Sequence, residues 1–283
     1  MVASRNDPPA ARGTRQPGAA AASTAELDIV ALGARGDGIG RLGTRTVYVP
    51  LAAPGDRLRV RLAGPRGDGW AAAVLAVLEA SPQRQAPPCP HFGDCGGCAV
   101  QHVAPPAYAA WKRALVEAAL AHRGIRDAEV LDAVRVPARS RRRVTLAALH
   151  HGGAVRLGFS ARASHRIVDV HDCMVAAPGI TALLGPLRAA LAAVLEPGER
   201  AEVMMTLADT GADVLLVGRR APGRAGREAL AALAAGQDLA RLSWSPPGGE
   251  PEPVAGRRAA IVSFAGVPVE PPPGAFLQPT TAG

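Results

Sequence analysis

Cys89, Cys95 and Cys98 stand in a C-x5-C-x2-C run within the segment CPHFGDCGGC, and Cys173 is the only other cysteine of the chain. Four thiols match the ligand number of a [4Fe-4S] cluster and equally that of an all-cysteine zinc site. Sulfur-ligated zinc more often takes two closely spaced pairs, whereas here one ligand arrives alone from far along the chain, so the spacing leans to iron and sulfide. Free buried cysteines are the third reading, and the crowding of Cys89, Cys95 and Cys98 weakens it. Gly96 and Gly97 give the backbone room to wrap the site and to donate N–H groups towards sulfur. No flavin or nicotinamide fingerprint accompanies the cysteines, so the expected role is structural, a staple between two distant segments. His91, His102 and His171 lie nearby in sequence and read as surface or supporting residues, not ligands.

The second constellation is one of charge. The chain has a formal net charge of +8, and the stretch 135–166, with eight arginines (Arg135, Arg139, Arg141, Arg142, Arg143, Arg156, Arg162 and Arg166) and no acidic residue, carries all of it. Such a concentration suits phosphate oxygens on a folded nucleic acid; a solvated face is the blander account. Further upstream Arg57, Arg59 and Arg61 alternate with Leu58, Val60 and Leu62, so a period of two places three guanidinium groups on one face of a strand. With no helix-turn-helix or finger spacing, RNA is the expected partner. The glycines of GARGDGIG (33–40) lack the Lys-Ser/Thr end of a phosphate loop and are followed by strand-like sequence, so a hairpin turn is expected there.

These residues need elements to hold them. A chain of 283 residues can bury a core without disulfides, although with nine aromatic residues that core must be built from Ala, Val and Leu. No long apolar run predicts a membrane span and no secretory pattern opens the chain, so a cytoplasmic monomer is expected. Residues 1–24 read as a disordered tail. Short runs at Leu27–Leu32, Thr46–Val49, Arg57–Leu62 and Trp70–Leu78 predict a small barrel over 25–80. A Pro-rich joint opens the cysteine loop at 81–99, and a helix is expected over Ala107–Arg123, within 100–124. From 125 to 265 strands (144–149, 155–159, 167–170, 202–207, 214–217, 260–264) alternate with helices over Pro178–Leu195, with a bend at Gly185-Pro186, and Arg224–Ala235. Residues 266–283 look like the entrance to a further domain. The class is α+β, multidomain, with an OB-like barrel before a mixed α/β body.

The chain resembles the RNA uracil-C5 methyltransferases, which make 5-methyluridine in ribosomal and transfer RNA. The likeness rests on CPHFGDCGGC with Gln101 and His102, SRRRVTL (140–146), LGFSARASHRIVDVHDC (157–173), Pro178-Gly179-Ile180 and AFLQ (275–278). It implies a TRAM domain at 25–80, a [4Fe-4S] cluster on Cys89, Cys95, Cys98 and Cys173, and a helix at 100–124 that packs on the catalytic domain. It also implies that Phe276 stacks on the target uracil and that Gln278 belongs to the S-adenosylmethionine site, though Pro279-Thr280 departs from the usual asparagine. RNA, ribosomal by this likeness, would be held by Arg57, Arg59, Arg61, Arg141, Arg142, Arg143, Arg162 and Arg166. The family reaction adds a cysteine thiolate to uracil C6 and methylates C5. All four cysteines are claimed by the cluster, so the expectation is an RNA-recognising portion of a 23S rRNA methyltransferase. Its Rossmann-like domain would be missing and the chain alone inactive. The alternative is a non-catalytic RNA-binding protein with an iron–sulfur or zinc site.

Overall fold

The computed structural model describes residues 23–282, so nearly all of the expected tail at 1–24 lies outside the described residues. Five strands, β1 (Thr24–Leu32), β2 (Gly38–Leu42), β3 (Arg45–Val49), β4 (Arg57–Arg66) and β5 (Gly69–Glu79), close into a barrel in the order β1-β2-β3-β5-β4. Its core is the inward half of the two-residue period: Leu27, Ile29, Val47, Val49, Leu58 and Val60 are buried, while Arg57, Arg59 and Arg61 face solvent. The glycine run at 33–40 is a turn only at its start, because Gly38 and Gly40 belong to β2. A Cβ at Gly38 would lie 2.7 Å from that of Ala52, and one at Gly40 would run into Leu27. Glycine there permits close approach across the barrel wall, which a turn reading overlooks.

The barrel hands over to the cysteine loop through one buried carboxylate. Asp56 accepts from the backbone N–H of Ala53 at 2.6 Å and of Ser81 at 3.0 Å, and from Arg84 Nη2 at 2.6 Å. Burial alone would raise its pKa, but the Arg84 guanidinium and the two N–H donors outweigh that and hold it below the ordinary aspartate value. Helix α1 (Pro105–His122) starts two residues earlier than expected, since Pro105 and Pro106 occupy first-turn positions whose N–H has no helical partner anyway. None of its residues is buried, and Trp111 Nε1 donates to the carbonyl of Gly33 in the barrel at 3.2 Å.

The rest of the chain builds a seven-stranded sheet. Its strands are β6 (Arg143–His151), β7 (Ala154–Ser160), β8 (Ile167–Asp169), β9 (Arg200–Ala208), β10 (Gly211–Gly218), β11 (Arg241–Ser245) and β12 (Glu252–Gly256), in the order β12-β11-β10-β9-β6-β7-β8. The β10–β11 pair is parallel, joined through helix α3 (Arg224–Gly236), and the other pairs are antiparallel. Helix α2 (Pro178–Ala192) presses Ile180, Leu183, Leu184, Leu187 and Leu191 onto one sheet face with α3 beside it. It stops three residues short of the expected Leu195 and keeps Pro186 inside. Val203 and Met205 of β9 and Val214 and Leu216 of β10 complete that core.

The opposite face takes the end of the chain. After a two-stranded hairpin, β13 (Val262–Phe264) and β14 (Val267–Val269), the chain returns across the sheet. Gly274, at φ +74°, sits so close to Leu215 that a Cβ would come within 2.7 Å of it. Arg241 pins the crossing by donating to the Pro271 carbonyl and to Asp213, both at 2.8 Å. Strands β11, β12 and β14 have no counterpart in the sequence expectations; RLSWS in particular reads as polar, yet Leu242 and Trp244 enter the core. Among the described residues no helix is long and apolar enough to cross a membrane.

Candidate functional site

The cysteine loop is held against β7. Gly96 N–H donates to the Ser160 carbonyl at 2.9 Å, and a Cβ on Gly96 would stand 2.7 Å from that oxygen, so the loop can dock only as glycine. Neither Gly96 nor Gly97 has a positive φ; Gly96 is required for room, not for dihedral freedom, whereas a Cβ on Gly97 would meet Cys95 Sγ and Phe159 at an ordinary 3.5 Å. Gly97 N–H points at Cys95 Sγ at 3.4 Å, as the wrapping of backbone around sulfur predicts. Cys173 comes from the other direction, in the segment that leaves β8 and enters α2. Cys89, Cys95, Cys98 and Cys173 line one cavity of about 50 Å³, together with Phe92, Gln101, Arg141, Phe159 and Met174. The four cysteines are free of disulfides. Burial pushes the Cys95 and Cys98 thiols up and the neighbouring sulfurs push them further. The Gly97 N–H acts the other way on Cys95, and a Gln101 hydrogen bond and the Arg141 charge do so on Cys98. Cys95 and Cys98, half-buried and held near further sulfurs, are therefore poor as free thiolates. Among the described residues, no group of three or more His, Cys, Asp or Glu is set to hold a single metal ion. A tetrahedral zinc would draw its sulfurs to about 2.3 Å from one point.

The nearby histidines stay out of the cavity's chemistry in different ways. His102 is 1% exposed, lies 5.5 Å from the Phe92 ring, and neither ring nitrogen has a partner. Burial keeps its pKa below the usual histidine value. His171 pairs with Asp169 at 3.3 Å, and His91 lines the cavity rim.

The structure divides the basic block in two. One part braces the cysteine segments: Arg139 grips Asp172, next to Cys173, through contacts of 2.8 and 2.7 Å. Arg166 pairs with Asp94, next to Cys95, and Arg162 Nη2 donates to the Cys98 carbonyl at 3.3 Å. Arg141 lines the cavity itself. The other part meets the chain's end: Arg142 donates from its backbone to Pro279 at 2.7 Å, and Arg143 lies 6.0 Å from the ring of Phe276. Phe276 is 78% exposed although Leu277 beside it is buried, and the Gln278 side chain is exposed while its carbonyl accepts from Arg142 Nε at 3.4 Å.

Two of the three outward arginines of β4 are compensated. Arg59 pairs with Glu26 at 3.0 Å, and Arg57 with Glu26 at 3.4 Å and Glu79 at 3.2 Å. The Arg59 hydrogen bond holds the Glu26 carboxyl below the usual range. Arg61 has no ion pair among the described residues. The sequence placed Arg139, which carries a bidentate pair at the cysteine site, in the phosphate-suited block and did not mark Gln101 as a partner of sulfur. The only available signal was adjacency to candidate ligands.

No family model matches the chain. It is 40% identical over 258 residues, 91% of its length, to an uncharacterized RNA methyltransferase of Brucella suis biovar 1, and 37% identical over 265 residues to one of Caulobacter vibrioides. It is 36% identical over 187 residues to the 23S rRNA (uracil(1939)-C(5))-methyltransferase RlmD of Bordetella pertussis, which covers 65% of this chain and 40% of that protein. In structure it matches the Pyrococcus abyssi tRNA (uracil-54, C5)-methyltransferase, solved with S-adenosyl-L-homocysteine, at TM-score 0.65 and 18% identity over 90% of this chain. The chain spans 59% of the Brucella relative and 61% of the Caulobacter one.

Proposed function

We infer that the chain belongs to the RNA (uracil-C5) methyltransferase family and forms the RNA-recognising, cluster-bearing portion of such an enzyme, with 23S ribosomal RNA as its substrate. The observation that carries this reading is the sequence relationship to RNA methyltransferases, sustained over 91% of the chain. The four-cysteine cavity supports it from the chemistry of its donors. Bound there, a [4Fe-4S] cluster would supply four iron–thiolate bonds on Cys89, Cys95, Cys98 and Cys173. Arg139, Arg162 and Arg166 would hold the ligand-bearing segments in place around it, and Arg141 and Gln101 would face its negative charge.

In the complete enzyme S-adenosylmethionine supplies the methyl group. The chain's own contribution is binding and orientation: Phe276, exposed and backed by Arg143, is a surface on which an extruded base can stack. The reaction needs a thiolate for uracil C6, and the only four cysteines of this chain line the cavity. The 283-residue chain alone is therefore expected to bind RNA without transferring methyl.

The test is anaerobic purification followed by visible absorption, iron and sulfide analysis, and filter binding to unmodified 23S rRNA. Brown protein with iron and acid-labile sulfide, binding that RNA in a salt-dependent way, is the expected result. Colourless protein with stoichiometric zinc overturns the cluster; absence of RNA binding overturns the functional reading.

A further inference from the structure

The barrel has two basic outer faces, and the structure gives them different equipment. On β4 the arginines are opposed by acids set by strand register: Glu26 stands opposite Arg59, and Asp28 and Glu79 opposite Arg57. That face holds three basic and three acidic residues and no aromatic ring. Around β2 and β3 the turn at 33–37 and the turn at 66–68 enclose a groove of about 450 Å³, lined by Arg35, Asp37, Ile39, Tyr48, Arg66 and Asp68. Inside it the guanidinium of Arg66 lies over the Tyr48 ring at 5.3 Å.

Both members of that stack are locked. Tyr48 Oη donates to Asp68 at 2.7 Å, and Arg66 is paired with Asp37 at 2.7 Å. Gly69 clears the ring's path, since a Cβ there would lie 3.0 Å from Tyr48 Cε2. The groove wall is fixed too: Trp111 of α1 caps the Gly33 carbonyl, and Gly36 sits so close to Val100 that a Cβ would come within 2.6 Å of it. Arg35 lines the groove and Arg41 lies two residues along β2 from Ile39, the register partner of Tyr48; both are exposed and without an ion pair among the described residues.

We propose that this groove is the barrel's RNA-binding site. A base of a single-stranded segment stacks on the Tyr48–Arg66 platform, phosphates meet Arg35 and Arg41, and the β4 face stays out of the interface. The argument is one of preorganisation. Unpaired RNA is held by flat faces, aromatic or guanidinium, with unpaired cations alongside, and a platform immobilised before binding loses little freedom when a base lands on it. The acids of the groove are already spent on holding Tyr48 and Arg66. On β4 Arg57 and Arg59 are spent on Glu26 and Glu79, and Arg61, opposite Thr24, is the one cation of that face without an ion pair among the described residues. The inference rests on the RNA-binding reading above and adds where on the barrel the RNA lies.

The test is fluorescence-anisotropy titration of the full chain with a short labelled single-stranded RNA, supplemented by ultraviolet crosslinking and peptide mapping. Tyr48→Ala is expected to weaken binding about tenfold, the loss of one stacked base. Tyr48→Phe keeps the ring and should bind within about twofold of the unsubstituted chain. The double substitution of Arg35 and Arg41 by Ala, at exposed positions that leave the platform intact, should flatten the salt slope by about two. Arg57→Ala with Arg59→Ala should leave affinity within about twofold. Crosslinks should fall in the peptide containing Tyr48. If the unsubstituted chain binds RNA but Tyr48→Ala and the Arg35/Arg41 variant bind as well as it does, or crosslinks map to β4, this inference alone is overturned. If the unsubstituted chain binds no RNA, the functional reading falls and takes the inference with it.

Discussion

On β4 the alternating arginines look across to Glu26, Asp28 and Glu79, whereas Arg139, Arg162 and Arg166 of the central body reach into the loops that carry the cysteines. Both sets look alike in a charge count. The first is balanced by neighbours that strand register brings alongside, and the second is turned inward by segments that fold back onto the sheet. A positive stretch therefore marks an RNA surface only after the acids of adjoining strands and loops have been subtracted. By that measure Arg35 and Arg41 near the β2–β3 groove stay exposed and unpaired among the described residues, as does Arg61 on β4.

The sharpest break of this comparison is at the cysteines. On the proposed cluster reading, Cys173→Ser removes the one sulfur the central body would supply, and visible absorbance of the anaerobically purified protein should be lost almost entirely, with a large fall in thermal stability. Retention of full colour would mean that Cys173 is not a ligand and that the arginines around it brace nothing. Next in size is Asp56→Ala, which strips a buried carboxylate from Arg84 and two backbone donors and should cost about 3 kcal/mol in denaturant unfolding. The pH dependence has a fixed sign. Because the folded-state pKa of Asp56 is lowered, its contribution is complete above the ordinary aspartate value and disappears as pH falls through the lowered one. Unfolding of the native chain should therefore become easier below about pH 4, and Asp56→Ala should blunt that change.

Arg139→Ala separates bracing from RNA contact. Losing the grip on Asp172 should speed bleaching of the cluster in air several-fold while leaving RNA affinity within about twofold. A large drop in affinity with unchanged bleaching would reverse the assignment and return Arg139 to the RNA surface.

The parts of this arrangement that sequence could disclose are those written in local periodicity or in rare residue types. Leu58 and Val60 alternate with arginine, so the inward face of β4 was readable, and α2 shows its stripe of Ile180, Leu183, Leu187 and Leu191 directly. The spacing of three cysteines with a lone fourth was enough to expect convergence, and the four do line one cavity. What stayed hidden depends on pairing between distant segments. Nothing local links Glu26 to Arg59 or Asp94 to Arg166, and the close packing that demands glycine at Gly38 and Gly40 is invisible until Ala52 and Leu27 are known to lie opposite. The Tyr48–Arg66 platform joins β3 to the end of β4, and no window of sequence contains both with their locking acids Asp37 and Asp68.

The smallest expected effect discriminates best between the two barrel faces. Glu26→Gln takes away the shared partner of Arg57 and Arg59 and leaves both cations in place. Exposed pairs of this kind are screened by solvent and contribute little, so the melting temperature should barely move. What loss there is should be complete above the ordinary glutamate value and fade as pH falls through the native one, which the Arg59 hydrogen bond holds lower. RNA binding then reports on position. A phosphate passing over β4 would meet Arg59 newly unpaired and Arg57 held by Glu79 alone, so affinity would rise and the salt slope would steepen. An RNA seated in the β2–β3 groove would not touch them, and the slope should stay as it was because no additional counterion is displaced. An unchanged slope with Glu26→Gln, set beside a flattened one with Arg35 and Arg41 replaced, would place the RNA on one side of the barrel by charge alone, independently of any stacking measurement.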